Sequence, residues 1–257
     1  MNRSRPEIYV FDHENQLLDS IVRRWQQLSH GAVEKQGYFA VALSGGKTPV
    51  PLYRRLAAET GMYLWGKTHI FLVDERFVPF SHPDSNGRML QETLVSPLKI
   101  SSDNVHSIPV GESTPRAAAK KYEEEIRGFF RLTGEEMPRF DLILLGLGED
   151  GHTASLFPEN PEFKETRHLT AAIVLDEIRH SRITLTLPVI NQAQNVIFLI
   201  TGRNKAAVAK RIIQERDASL PASQIAPQEG NLFFLLDREA SSQLSATSLR
   251  PGPKEPG

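Results

Sequence analysis

Residues 140–158 read FDLILLGLGEDGHTASLFP. The four residues 142–145 (LILL) form an unbroken apolar run, the pattern of a strand buried on both faces of a parallel sheet. The chain then turns through Gly146, Gly148 and Gly151, residues that accept backbone shapes closed to others. Glu149, Asp150 and His152 lie among these glycines. Parallel α/β sheets bind ligands in the crevice beyond the carboxyl ends of their strands. A carboxylate and an imidazole two residues apart on such a loop therefore stand where chemistry is done. Alone, such a loop reads better as a Gly-rich surface turn carrying polar residues; two upstream loops of the same kind favour a site.

The first of these follows residues 38–43 (YFAVAL), a strand that runs into Ser44-Gly45-Gly46-Lys47-Thr48-Pro49. Thr48 as N-cap and Pro49 at the first helical position start a helix, which stops at Gly61. Free backbone N–H groups and the positive end of the helix dipole make this loop suited to an anion. It is not a nucleotide loop: a Walker A motif needs a glycine where this chain has Val41. One phosphate monoester fits its length. The second loop follows a strand over residues 69–73 and carries Asp74-Glu75-Arg76, with Asp84 capping a helix that holds Asn86 and Arg88 in its first turns.

Further strands are expected over residues 7–11, 169–174, 182–187, 196–200 and 232–236. Asp12 caps a helix with an apolar stripe from Leu17 to Leu28, and Thr114 caps one opened by Pro115. The strand at 196–200 ends in Thr201-Gly202-Arg203-Asn204-Lys205 before another helix. Residues 158–168 read as a flap beside the site. Alternating strands and helices imply a single doubly wound, mostly parallel α/β sheet with helices on both faces, one domain over residues 1–240. Residues 241–257, rich in Ser, Pro and Gly, read as a mobile tail.

Composition narrows the function. The 257 residues have a formal net charge of −1, 40% hydrophobic and 24% charged residues, the balance of a soluble globular protein. Nothing there is a footprint for nucleic acid or anionic membrane, so any anionic ligand needs a local site. There are no cysteines, which excludes thiolate metal sites and cysteine nucleophiles and fits a cytoplasmic setting. Residues 1–6 show no signal peptide, and no apolar run reaches the ~18 residues of a membrane span. The sequence leaves oligomeric state open.

Five motifs, ALSGGKTP, VDERFVP with SNGRM after it, LGLGEDGHTASLFP, RITLTLPVIN and TGRNKA, occur in the order of the 6-phosphogluconolactonase family. The chain resembles that family over residues 7–240. The resemblance implies a fold shared with glucosamine-6-phosphate deaminases and hydrolysis of 6-phospho-D-glucono-1,5-lactone to 6-phosphogluconate, in the pentose phosphate pathway. The deaminases typically carry Asp-Glu-Tyr where this chain has Asp74-Glu75-Arg76, and a Glu after their His motif that is lacking here. A deaminase or isomerase, or a non-catalytic phosphosugar sensor, is the alternative. Many family members have a Pro/Lys-rich stretch before the RITLTLP strand, where this chain has DEIRHS over residues 176–181.

A δ-lactone needs one base to activate water and a group to hold the developing oxyanion, and no metal or cofactor. His152 is the candidate base, since an imidazole is neutral near its ordinary pKa of about 6.5. Asp150 either orients His152 or caps the loop through backbone N–H groups. Ser155 lacks a G-x-S-x-G elbow, which argues against a covalent route. Ser44, Gly45, Gly46 and Lys47, with Arg76 and Lys205, are expected to grip the phosphate. Asp74, Glu75, Asn86, Arg88 and Arg182 are secondary candidates.

Overall fold

The computed structural model of the chain describes residues 5–59, 64–160, 164, 167–174, 180–245 and 249–252. Strand β1 (Glu7–Phe11) leads into α1 (Glu14–Gln36), whose apolar stripe from Leu17 through Trp25 is buried. The fully buried β2 (Phe39–Leu43) precedes α2 (Val50–Ala58). Strand β3 (Thr68–Leu72) is followed directly by the short β4 (Asp74–Arg76). Helix α3 (Asn86–Leu90) passes through a π-helical turn, Gln91–Val95, into α4 (Ser96–Leu98). Then come β5 (Val105–His106), α5 (Pro115–Phe130), β6 (Leu142–Leu145), β7 (Thr170–Ile173) and β8 (Arg182–Leu185). The chain closes with α6 (Leu187–Gln192), β9 (Asn195–Ile200), α7 (Ala206–Lys210), β10 (Asn231–Asp237) and β11 (Arg250–Pro251).

Eight strands form one parallel sheet in the order β11-β1-β10-β9-β6-β2-β3-β5. The interior strands β2, β6 and β9 are buried along their whole length, as continuous apolar runs require when helices cover both faces. Strand order reverses between β2 and β6, which are neighbours although three strands separate them in the chain. Such a reversal opens a crevice at the carboxyl ends of the two strands. The loops after β2, β6 and β9 converge there.

A buried carboxylate helps fix this centre. Asp141, just before β6, accepts the Ala40 backbone N–H at 2.8 Å and the Gln36 side-chain amide at 2.9 Å. It ties the end of α1 and the start of β2 to the start of β6. Burial pushes its pKa up to about 6, against the pull of the Ala40 and Gln36 donors.

Several details differ from expectation. β4, β8 and β7 form a separate three-stranded antiparallel sheet beside the main one, although Ile183, Thr184 and Leu185 of β8 are all buried. His13, not Asp12, precedes α1, with no side-chain cap. Ser85, not Asp84, caps α3, its hydroxyl accepting the Arg88 N–H. Helix α2 starts one residue late, and Thr48 gives it no side-chain cap; its expected stop at Gly61 lies outside the described residues. So do residues 161–163, 165 and 166 of the expected flap and residues 176–179. Within the stretch read as a tail, Arg250 and Pro251 pair in parallel with Tyr9 and Val10, and the Gly252 N–H donates to Val10.

Candidate active site

The loop after β2 is shaped by a close approach. A Cβ on Gly45 would lie 1.8 Å from Oδ1 of Asn86, so only glycine lets the loop pack against the start of α3. The Asn86 amide in turn donates to the Asp74 carbonyl at 2.9 Å. Buried Tyr53 on α2 donates its hydroxyl to the Ser44 carbonyl at 2.6 Å and anchors the loop from below. The backbone N–H groups of Gly46, Lys47 and Thr48 make no hydrogen bond among the described residues. They lie just before the amino end of α2, where the dipole favours negative charge.

The loop after β6 presents the acid–base pair. The Gly148 N–H donates to the His152 carbonyl at 2.8 Å, and the Gly151 N–H to the Gly148 carbonyl at 3.1 Å. This tight turn brings Asp150 and His152 face to face: Nδ1–H of His152 donates to Oδ1 of Asp150 at 2.5 Å. The same oxygen accepts the His152 backbone N–H at 3.1 Å. A side chain on Gly148 would sit 2.1 Å from Nδ1 of His152, so glycine there makes room for the pair. Burial would raise the Asp150 pKa, but the donors on His152 outweigh it and the carboxyl is held below its ordinary range. Both readings of Asp150 are realised in one geometry, because it binds the ring and the backbone together. Nε2 is the ring nitrogen left for a ligand, and the Phe157 ring lies tilted against the imidazole with centroids 4.7 Å apart.

The two loops bound one cleft of about 210 Å³, lined by Ser44, Gly45, Gly46, Lys47, Asp74, Arg76, Asn86, His152, Arg182 and Lys205 among others. Two buried polar atoms of that lining, Oγ of Ser44 and Nε of Arg76, have no hydrogen-bond partner among the described residues. Buried polar groups are otherwise nearly always satisfied, so an orphaned donor and hydroxyl in a basic cleft point to a polar, anionic ligand. Lys205 ends a 3₁₀ turn, Arg203–Lys205, after β9. Its neighbour Asn204 donates to Glu149 at 2.6 Å and ties the β9 loop to the β6 loop, a contact that sequence reasoning did not anticipate although Asn204 stands beside Lys205 in TGRNKA.

The secondary candidates divide. Arg182 and Asp74 line the cleft, Asp74 accepting the Ser155 hydroxyl at 2.6 Å. Ser155 is wholly buried in that contact and unsuited to be a nucleophile. Glu75 turns away from the cleft. Its carboxylate accepts the N–H groups of Arg76, Asn86 and Gly87, each at 2.7 Å, and the Ser85 hydroxyl at 3.0 Å. It is a cap for α3 supplied from a neighbouring strand, and burial raises its pKa despite those four donors. Arg88 also leaves the cleft lining: it pairs with Glu92 at 2.7 Å and donates to the Ser81 carbonyl at 2.6 Å.

Fold and cleft together define a class: α/β proteins with an anion-suited pocket at the switch point of a parallel sheet, beside a His–Asp pair. The model of one family, glucosamine-6-phosphate isomerases/6-phosphogluconolactonase, matches residues 12–234. The chain is 41% identical to the 6-phosphogluconolactonase of Synechocystis sp. over 215 residues, covering 83% of this chain and 88% of that protein. With the 6-phosphogluconolactonase of Rattus norvegicus it shares 38% identity over 247 residues, 93% of each. The solved structure of 6-phosphogluconolactonase from Trypanosoma brucei superposes with a TM-score of 0.82 at 30% identity, over 95% of this chain and all of that one. The chain belongs to the glucosamine-6-phosphate isomerase/6-phosphogluconolactonase family.

Proposed function

We propose that this chain hydrolyses 6-phospho-D-glucono-1,5-lactone to 6-phospho-D-gluconate, the second step of the oxidative pentose phosphate pathway, in the cytoplasm. Proteins named 6-phosphogluconolactonase match it along most of its length. The observation that carries the mechanism is the 2.5 Å contact between Asp150 and Nδ1 of His152. It fixes the tautomer with a lone pair on Nε2, the form in which an imidazole acts as a base.

The substrate phosphate is held by the N–H groups of Gly46, Lys47 and Thr48 and the cations Arg76, Arg182 and Lys205. That leaves the lactone end toward His152. Nε2 takes a proton from water as the water oxygen bonds to the lactone carbonyl carbon. The tetrahedral oxyanion then collapses, the ring C–O bond breaks, and Nε2 returns the proton to the departing ring oxygen. Asp150 stays ionised throughout and stabilises the imidazolium. No covalent enzyme intermediate forms and no cofactor enters.

The test is acid release from freshly prepared lactone, followed by pH-stat and corrected for spontaneous hydrolysis. Turnover well above the spontaneous rate is expected, with no ammonia released from glucosamine 6-phosphate. Ammonia release, or tight 6-phosphogluconate binding without turnover, would overturn the reading.

A further inference from the structure

Outside the cleft, three side chains with metal-binding atoms converge. His82, Asp84 and His180 each place one such atom within 4.8 Å of the others. Oδ2 of Asp84 is 3.9 Å from Nδ1 of His82 and 3.6 Å from Nε2 of His180. Two ligand atoms on one tetrahedral zinc, each about 2.0–2.1 Å from it, stand roughly 3.3 Å apart. Closing the set asks roughly 0.3–0.6 Å of the Asp84 contacts and up to about 1.5 Å between the two imidazoles, movements within reach of side-chain rotation. We propose that His82, Asp84 and His180 form a site for a borderline divalent transition-metal ion such as zinc, with water completing the tetrahedron.

Three features fit a ligand set better than a chance cluster. First, the Asp84 backbone N–H donates to Nδ1 of His82 at 3.1 Å, so the lone pair needed for ligation is already on that nitrogen. A metal would take the place of this weak contact. Second, His180 holds a left-handed backbone, φ 54°, a conformation that costs a non-glycine residue about 1–2 kcal/mol and persists where the surroundings impose it. Third, the frame is already built: the Phe77 N–H donates to the Ser181 carbonyl at 2.7 Å, which joins the two segments that carry the ligands. His180 also falls in DEIRHS, the stretch where this chain departs from the family pattern. The donor set, two imidazoles and one carboxylate, suits zinc and not magnesium or calcium, which prefer oxygen alone.

The site borders the cleft without belonging to it. The Arg76 guanidinium donates to the Asp84 carbonyl at 2.6 Å, and Nε of Arg182 donates to the His180 carbonyl at 3.2 Å. An ion bridging Asp84 and His180 would thus clip together the two backbone carbonyls that hold the cleft arginines. Its role is structural, and it takes no part in the water attack at His152.

The experiment is calorimetric titration of zinc chloride into the tag-free, full-length, EDTA-treated protein at neutral pH. One equivalent should bind with Kd below about 10 μM and raise Tm by mass action. His82→Ala and His180→Ala should each weaken binding by about tenfold or more, with folding checked by circular dichroism. Cobalt in place of zinc should give the visible absorption of a tetrahedral site. No saturable zinc binding, or binding undiminished in both variants, would overturn the proposal. Because no arm reads lactone turnover, its failure is separate from failure of the lactonase reading.

Discussion

Arg76 on β4 and Arg182 on β8 are paired directly across the small antiparallel sheet, and both face the cleft. Like charges so placed destabilise a sheet unless something negative lies between them. Burial, and then the neighbouring Arg76 charge, push the Arg182 pKa below its usual value. A dianionic phosphate between the two guanidiniums, as proposed, would resolve the conflict. Arg76→Ala or Arg182→Ala should therefore weaken 6-phosphogluconate binding by about 1.5–3 kcal/mol, roughly ten- to a hundredfold in Kd. The double variant should lose less than the sum, since both side chains hold one group. Calorimetry decides; an unchanged Kd in both single variants would remove the pair from the phosphate site.

The Gly45–Asn86 contact predicts a local packing defect. In Gly45→Ala the new methyl must displace the Asn86 side chain and break its bond to the Asp74 carbonyl. Overpacking of this kind costs about 1–3 kcal/mol, and the loop after β2 should shift with it. Urea unfolding and product affinity should both worsen. A variant as stable and as tight as wild type would show that the loop tolerates the bulk.

How far the sequence was legible depends on what each residue touches. β6 and β2 were plain because a strand buried on both faces must be apolar throughout. The His–Asp pair was legible as a pattern, but whether Asp150 bound the ring or the loop depended on turn geometry, and it does both. Glu75 and Arg88 looked like site residues because they flank the right loops. The Arg88–Glu92 pair is an i,i+4 contact along the helix and was there to be read from spacing. The partners of Glu75, at the start of α3, are set by how β4 meets that helix, which local pattern does not encode. The separate antiparallel sheet was lost for the same reason: strand pairing is a tertiary fact.

Glu75 should prove structural. Removing its carboxylate in Glu75→Ala strands four donors, three of them buried, a change expected to cost about 3 kcal/mol or more at about 1–3 kcal/mol for each unsatisfied buried group. Glu75→Gln keeps the shape and should cost less. Equilibrium unfolding of the two variants checks the order; a Glu75→Ala protein that keeps its stability but loses turnover would make Glu75 catalytic instead.

Asp141 makes stability depend on pH. Its folded pKa of about 6 lies above its ordinary value of 3.8, so the folded state holds the proton more tightly than the unfolded chain. The resulting stability is fully present below about pH 4 and is lost as pH rises through about 6. Asp141→Asn should flatten that part of the curve. Urea unfolding at a series of pH values between 4 and 7 reads it, and an identical slope in variant and wild type would contradict the shift.

The central claim is that His152 activates water, and His152→Ala tests it most directly. The kcat for lactone hydrolysis should fall by about 10²–10⁴, the usual contribution of a positioned base. Affinity for 6-phosphogluconate should hold, since the proposed phosphate contacts lie on other loops. The acid limb of the kcat/KM profile should vanish with the imidazole. A folded His152→Ala protein that binds product and hydrolyses the lactone within tenfold of wild type would contradict the account.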